Sequence, residues 1–184
     1  MPQARWNRSD AACGITRAPR WRIRLRHTLA DAARGYDWSR VLQILSNHRD
    51  LVNVSRPGGR ARYAPLHQAA HGGAPAPVVQ RLIEMGAWRT LRTRRGERPL
   101  DIAHRRGHLG LRALLLPVYK RRCIAPDVLD RVQRHFHALI RRHPAGREPS
   151  LRLPELEPLL ELGAGERVLR SAWNARRLHV LPGG

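Results

Sequence analysis

The sequence predicts an all-α solenoid of helix-turn-helix units closed by a C-terminal capping helix. Three observations carry that expectation. The first is a repeat: Pro65-Leu66-His67-Gln68-Ala69-Ala70-His71-Gly72-Gly73 returns 34 residues later as Pro99-Leu100-Asp101-Ile102-Ala103-His104-Arg105-Arg106-Gly107, with His108 next. A fixed period of this length signals stacked supersecondary units. The second is punctuation, since each copy opens on proline and stops on glycine. The third is composition: 42% hydrophobic residues but one Phe and three Tyr, an aliphatic core suited to closely stacked helices.

Each copy reads as a short helix followed by a second one. Pro65 and Pro99 suit the first helical position, where the missing N–H costs nothing. Small Ala69, Ala70 and Ala103 allow close helix approach, and Gly73 and Gly107 can take the positive φ that ends a helix. The second helices are expected at residues 77–85 and 109–116; Val78, Val79, Leu82 and Ile83 lie on one face of the first of these. Hairpin-like fingers around Pro57-Gly58-Gly59 and Arg95-Gly96-Glu97 precede the copies.

Upstream, Ala32-Ala33-Arg34-Gly35 repeats the alanine–glycine stop, and Asp37 is a candidate N-cap for a helix over residues 38–47. This is an atypical terminal unit, as one face meets solvent. Residues 1–26 hold seven arginines, one acid and no steady period, and are expected to form a basic, disordered arm. Downstream, Val128, Leu129, Val132, Phe136, Leu139 and Ile140 are spaced for one helical face over residues 126–143. That helix is expected to cap the open end of the stack, hiding the apolar face of the last unit. Residues 144–184 form an extension.

Residues 64–87 resemble the ankyrin repeat, whose motif reads Thr-Pro-Leu-His, two alanines, Gly-His, Val, Leu-Leu and Gly-Ala; residues 95–115 carry about half of it. Ala64 replaces the motif's threonine and Asp101 its histidine. The resemblance implies units over residues 27–56, 57–93 and 94–125, with His67 and His108 holding loop backbone. It also implies a concave face lined by fingers and first helices. The stretch 151–162, Leu-Arg-Leu-Pro-Glu-Leu-Glu-Pro-Leu-Leu-Glu-Leu, resembles a C-terminal module of bacterial ankyrin-repeat proteins, in which an aromatic tail Phe-x-Val-Pro-Gly-Met-x-Gly-Gly-Phe follows. Back-translation from Leu169, shifted by one base, can restore such a tail. Residues from about 169 are therefore a candidate frame shift, which resequencing without a restoring single-base change would refute.

Charge is the loudest feature. There are 35 Lys+Arg against 14 Asp+Glu, and every one of the 35 except Lys120 is arginine. Abundant Arg, Ala, Gly and Pro is also what GC-rich codons encode, so part of the surplus reflects the gene. On the concave face Arg89, Arg92, Arg94, Arg95, Arg98, Arg105 and Arg106, with Trp88 beside them, form a candidate strip for an acidic protein or a polyanion. A solvated arginine face is the alternative.

Several functions are set aside. Cys13 and Cys123 have no metal-type spacing and suit free thiols in a reducing compartment. The pairs His67/His71 and His104/His108 are spaced i, i+4, yet no third ligand follows, so no metal or other cofactor is expected. No apolar run reaches the length of a membrane span. Cys13 lacks a placed base, acids are sparse, and the glycines are spent on helix stops, so no enzyme is expected. The expected protein is a cytoplasmic, monomeric protein-interaction scaffold, with electrostatic nucleic-acid binding through the arginine strip and N-terminal arm as the alternative.

Overall fold

Proline-opened, alanine-rich segments become helices wherever an apolar stripe can be buried against a neighbour. The computed structural model describes residues 19–121, 124–142 and 153–163. These hold seven α-helices and no strand: α1 Arg20–Arg34, α2 Trp38–Asn47, α3 Pro65–Gly72, α4 Ala76–Glu84, α5 Pro99–Arg105, α6 Arg112–Leu115 and α7 Pro126–Arg142. α1 packs on α2 and α3, α3 on α4 and α5, and α5 on α6, which also meets α4. The helices that open each unit, α1, α3 and α5, thus make one row.

One continuous core runs through the stack, with Leu29, Leu45, Leu66, Leu82, Ile102 and Leu115 fully buried. Each such side chain contributes roughly 1.5–3 kcal/mol of transfer free energy. Ala33, Ala69, Ala70 and Ala103 are buried between the row's helices, where a larger residue would push them apart.

All three first helices end on the same bond pattern. The N–H of Asp37, Ala74 and His108 donates to the carbonyl of Ala32, Ala69 and Ala103, at 3.0, 2.9 and 2.8 Å. The residue before each donor takes positive φ: Gly73 at 64°, Gly107 at 78° and Tyr36 at 61°. The repeat-based reading placed the first stop at Gly35, but Gly35 stays right-handed with φ −80°. Tyr36 holds the left-handed position instead. Its ring lies so close to Gly72 that a Cβ there would sit 2.3 Å from a ring carbon.

Four expectations change. α1 begins at Arg20, so residues 20–26 belong to the helix row and not to a free arm. Arginine density there concealed structural roles: Arg22 pairs with Asp50, and Arg26, 8% exposed, donates to the Ser55 carbonyl at 3.0 Å. The rest of the predicted arm, residues 1–18, lies outside the described residues, as do Cys13, Cys123 and the candidate frame shift. The fingers contain no strand. The finger that leads into the third unit, residues 88–98 and hence the third finger, is closed by the Thr93 N–H on the Glu97 carbonyl at 2.9 Å; the Arg94 N–H on the Ala61 carbonyl at 3.1 Å ties it to the second finger, around residues 55–63. The last unit's second helix is short, a 3₁₀ turn Leu109–Leu111 followed by the four residues of α6.

The fourth change is the cap. α7 has the expected length and apolar stripe but buries no residue, and Val128, Val132 and Leu139 are exposed. Leu109, Leu116 and Val118 of the last unit are exposed as well, so α7 does not cover them. α7 is instead hydrogen-bonded to the strap 153–163. The Leu156 N–H donates to Gln133 Oε1 at 2.7 Å, and Gln133 Nε2 donates to the Pro154 carbonyl at 3.0 Å.

Gly73→Ala and Gly107→Ala both force an L-residue into left-handed backbone, a strain of about 1–2 kcal/mol. Nothing lies within 4 Å of a Cβ at Gly107, whereas at Gly73 it would meet the His108 imidazole at 2.6 Å. Urea unfolding is expected to show Gly73→Ala as clearly the more damaging; equal losses would mean that His108 yields freely.

Candidate functional site

Buried loop backbone requires hydrogen-bond partners, and side chains of neighbouring units supply them. His67, fully buried, accepts the Ala64 N–H on Nδ1 at 3.1 Å; its Nε2–H then donates to the Leu91 carbonyl at 2.9 Å. One neutral ring thus joins the start of α3 to the third finger. Asn53 does the same between the first two units, donating to the Gly86 carbonyl at 2.8 Å and accepting the Trp88 N–H at 2.9 Å. His108 Nε2 lies 3.2 Å from the His71 carbonyl, tying α5 to α3. Asp101, the counterpart of His67, reaches only its own helix start, accepting the Arg98 N–H at 2.8 Å.

The structure divides the predicted arginine strip. Trp88 is 7% exposed and packs with Ala64 and Leu91, so it is a core residue and presents no aromatic surface. Arg89 Nε donates to the Leu114 carbonyl at 2.8 Å. Arg92 and Arg98 are held by one carboxylate, Glu157, whose Oε2 lies 3.0 Å from Arg92 Nη2. Arg94 and Arg95 stand exposed at the finger tip. Arg105 pairs with Glu97 at 2.8 Å, and Arg106 Nε reaches the His71 carbonyl at 3.4 Å.

The strap that supplies Glu157 covers the rest of this finger. Glu161 accepts the N–H of Arg89 at 3.2 Å, the N–H of Thr90 at 2.7 Å and the Thr90 hydroxyl at 2.5 Å. Glu155 accepts the Arg92 N–H at 2.9 Å, and the Tyr119 hydroxyl donates to Glu157 at 2.9 Å. Sequence reasoning assigned no role to these acids. The available signal was charge: three of the 14 acidic residues fall within seven positions of an arginine-rich chain, downstream of its most basic segment.

A shallow groove of about 510 Å³ opens between the second finger and the helix row. Its lining includes Arg34, Arg56, Arg60, Arg62, Tyr36 and His71. Arg56 pairs with Asp31, while Arg34 and Arg60 have no acid beside them among the described residues. Arg34, His71 and Arg105 occupy equivalent positions on α1, α3 and α5, two residues after Ala32, Ala69 and Ala103. They line up across the stack, with Arg105 paired to Glu97. The His71 pKa is lowered by desolvation first, then by Arg106, Arg105 and His108. The Tyr36 hydroxyl lies 2.9 Å from its Nδ1.

Among the described residues no group of three or more His, Cys, Asp or Glu could hold a metal ion, and no helix is long and apolar enough to cross a membrane. Comparison with protein-family models and with curated proteins returns no match.

His71 is expected to titrate below the ordinary histidine value of 6.5, measured by NMR. Arg106→Ala should raise its midpoint, and added salt should raise it part of the way, because the arginine contribution is screened and the desolvation is not. A folded pKa below the unfolded one gives a stability contribution present above the unfolded value and lost as pH falls through the folded one. A midpoint insensitive to both changes would remove the field ascribed to the arginines.

Proposed function

We propose that this chain is a non-enzymatic, ankyrin-type scaffold that binds an acidic protein partner on the face formed by its second finger and first helices. The observation that carries the reading is the groove beside the second finger, in which Arg34 and Arg60 stand exposed with no acid beside them among the described residues. The arginines of the third finger, its tip excepted, are engaged within the chain. Electrostatic complementarity of this kind steers an acidic partner and rejects basic ones. The repeat-derived helix row supplies the rigidity that a docking face requires, because ordering cost is met on folding and not on binding. On this reading the protein works as a cytoplasmic monomer without a cofactor.

Nucleic acid is the second reading, favoured by the same groove, since Arg34, Arg56, Arg60 and Arg62 would suit phosphates as well as carboxylates.

The test is a pull-down from nuclease-treated and untreated host lysate at two salt concentrations, using wild type, Arg34→Glu/Arg60→Glu and Arg94→Glu/Arg95→Glu. A protein retained by wild type and by the finger-tip variant, but bound about tenfold more weakly by the groove variant, is the expected result; that factor is roughly 1.4 kcal/mol. Recovery of nucleic acid alone from untreated lysate, lost steeply as salt rises, would replace the scaffold by the second reading. Equal loss with both variants would remove the groove.

A further inference from the structure

The strap 153–163 is held as a bound peptide is held. Within the described residues its regular structure is one 3₁₀ turn, Glu157–Glu161, flanked by the Leu159 N–H on Leu156 and the Leu162 N–H on Leu159. Its other bonds go outward. Three carboxylates take the N–H groups of Arg89, Thr90 and Arg92 and the guanidinium groups of Arg92 and Arg98. The N–H groups of Lys120 and Arg121 donate to the Leu160 carbonyl at 2.9 and 3.1 Å. Pro154, Pro158 and Leu160 are buried between these anchors. The receiving finger also has ties that do not involve the strap: His67 holds the Leu91 carbonyl, Asn53 holds the Trp88 N–H, and the Thr93 N–H closes on the Glu97 carbonyl. A preorganised loop that offers three N–H donors and two arginines is a carboxylate receptor.

We infer that the third finger, with Arg92, Arg98 and the N–H groups of Arg89, Thr90 and Arg92, is a receptor site for an acidic, leucine- and proline-containing peptide segment. Residues 153–163 are its resident ligand, which a partner segment of the same chemistry displaces. This site is separate from the groove of the second finger, and the inference does not depend on what that groove binds. Tethering explains why the resident ligand need not bind tightly. Because the strap belongs to the same chain its binding is intramolecular, so a segment of modest intrinsic affinity keeps the finger occupied and excludes weak competitors. Spacing supplies selectivity: acids at positions 3, 5 and 9 of the segment 153–163 meet separate groups on the finger, and an unordered acidic chain does not.

The experiment measures binding of a synthetic peptide with the sequence of residues 153–163 to the full-length chain. The hosts are wild type and Glu155→Ala/Glu157→Ala/Glu161→Ala, the latter checked for folding by circular dichroism. The peptide is expected to bind the triple variant at least about tenfold more tightly than wild type, because the tethered competitor is weakened. Adding Arg92→Glu and Arg98→Glu should abolish that binding, and a scrambled peptide of the same composition should bind at least about tenfold more weakly. No binding to the folded variant, equal binding to both hosts, or equal binding of the scrambled peptide would each overturn the proposal. If the variant fails to fold, hydrogen exchange on wild type decides: excess peptide should speed exchange at Leu159 and Leu162, and unchanged protection would overturn it.

Discussion

A stack of short helices joined by long fingers places irregular backbone against its own core, and every polar group there must find a partner. Buried side chains from other segments meet that demand. Arg26 serves the Ser55 carbonyl, Asn53 serves Gly86 and Trp88, His67 serves Ala64 and Leu91, and Glu161 serves Arg89 and Thr90. All of these but His67 with Ala64 join segments distant in the chain, so a single class of interaction fixes finger conformation and stacking order together. The helices supply the apolar area; these ties decide which finger lies over which helix.

The same ties sort the arginine surplus. Arg22, Arg26, Arg92 and Arg98 are bound to acids or carbonyls within the fold, and Arg89 anchors the third finger to the end of α6. Exposed pairs of this kind contribute little stability one by one, and Arg92–Glu157–Arg98 gains from sharing one mostly covered carboxylate. Arg34 and Arg60 beside the second finger, and Arg94 and Arg95 at the tip of the third, are left exposed. Net charge alone could not have made that division, because an arginine that closes a loop and one that faces solvent have the same composition.

The period, the prolines and the left-handed Gly73 and Gly107 were legible in the chain because each rests on local backbone chemistry. So was the all-helical class, which follows from aliphatic stripes at helical spacing. Tyr36 was not legible, since nothing local distinguishes it from Gly35 as the left-handed residue; the ring's partners, Gly72 and His71, lie about one unit away. The groove was missed for the same reason, its walls coming from α1, α3 and a finger. Trp88 was misplaced on the surface because its indole is covered through contacts with Ala64 and Leu91 that spacing does not reveal. The role of the strap rests on partners 59 to 72 residues distant, beyond any periodic signal. The stripe on α7 was visible, but an amphipathic pattern says only that a face could be covered.

Tyr36 and Gly72 form a pair whose histories are joined. Gly72 lies inside α3 and needs no unusual dihedral of its own; what it leaves is room for an aromatic ring. A side chain at 72 therefore requires the Tyr36 ring to swing out or to become smaller. A glycine at 36 would both relax the left-handed strain and vacate that room. Substitution first at 36 and then at 72 meets no clash, whereas the reverse order first drives the ring from its place beside Gly72 and His71.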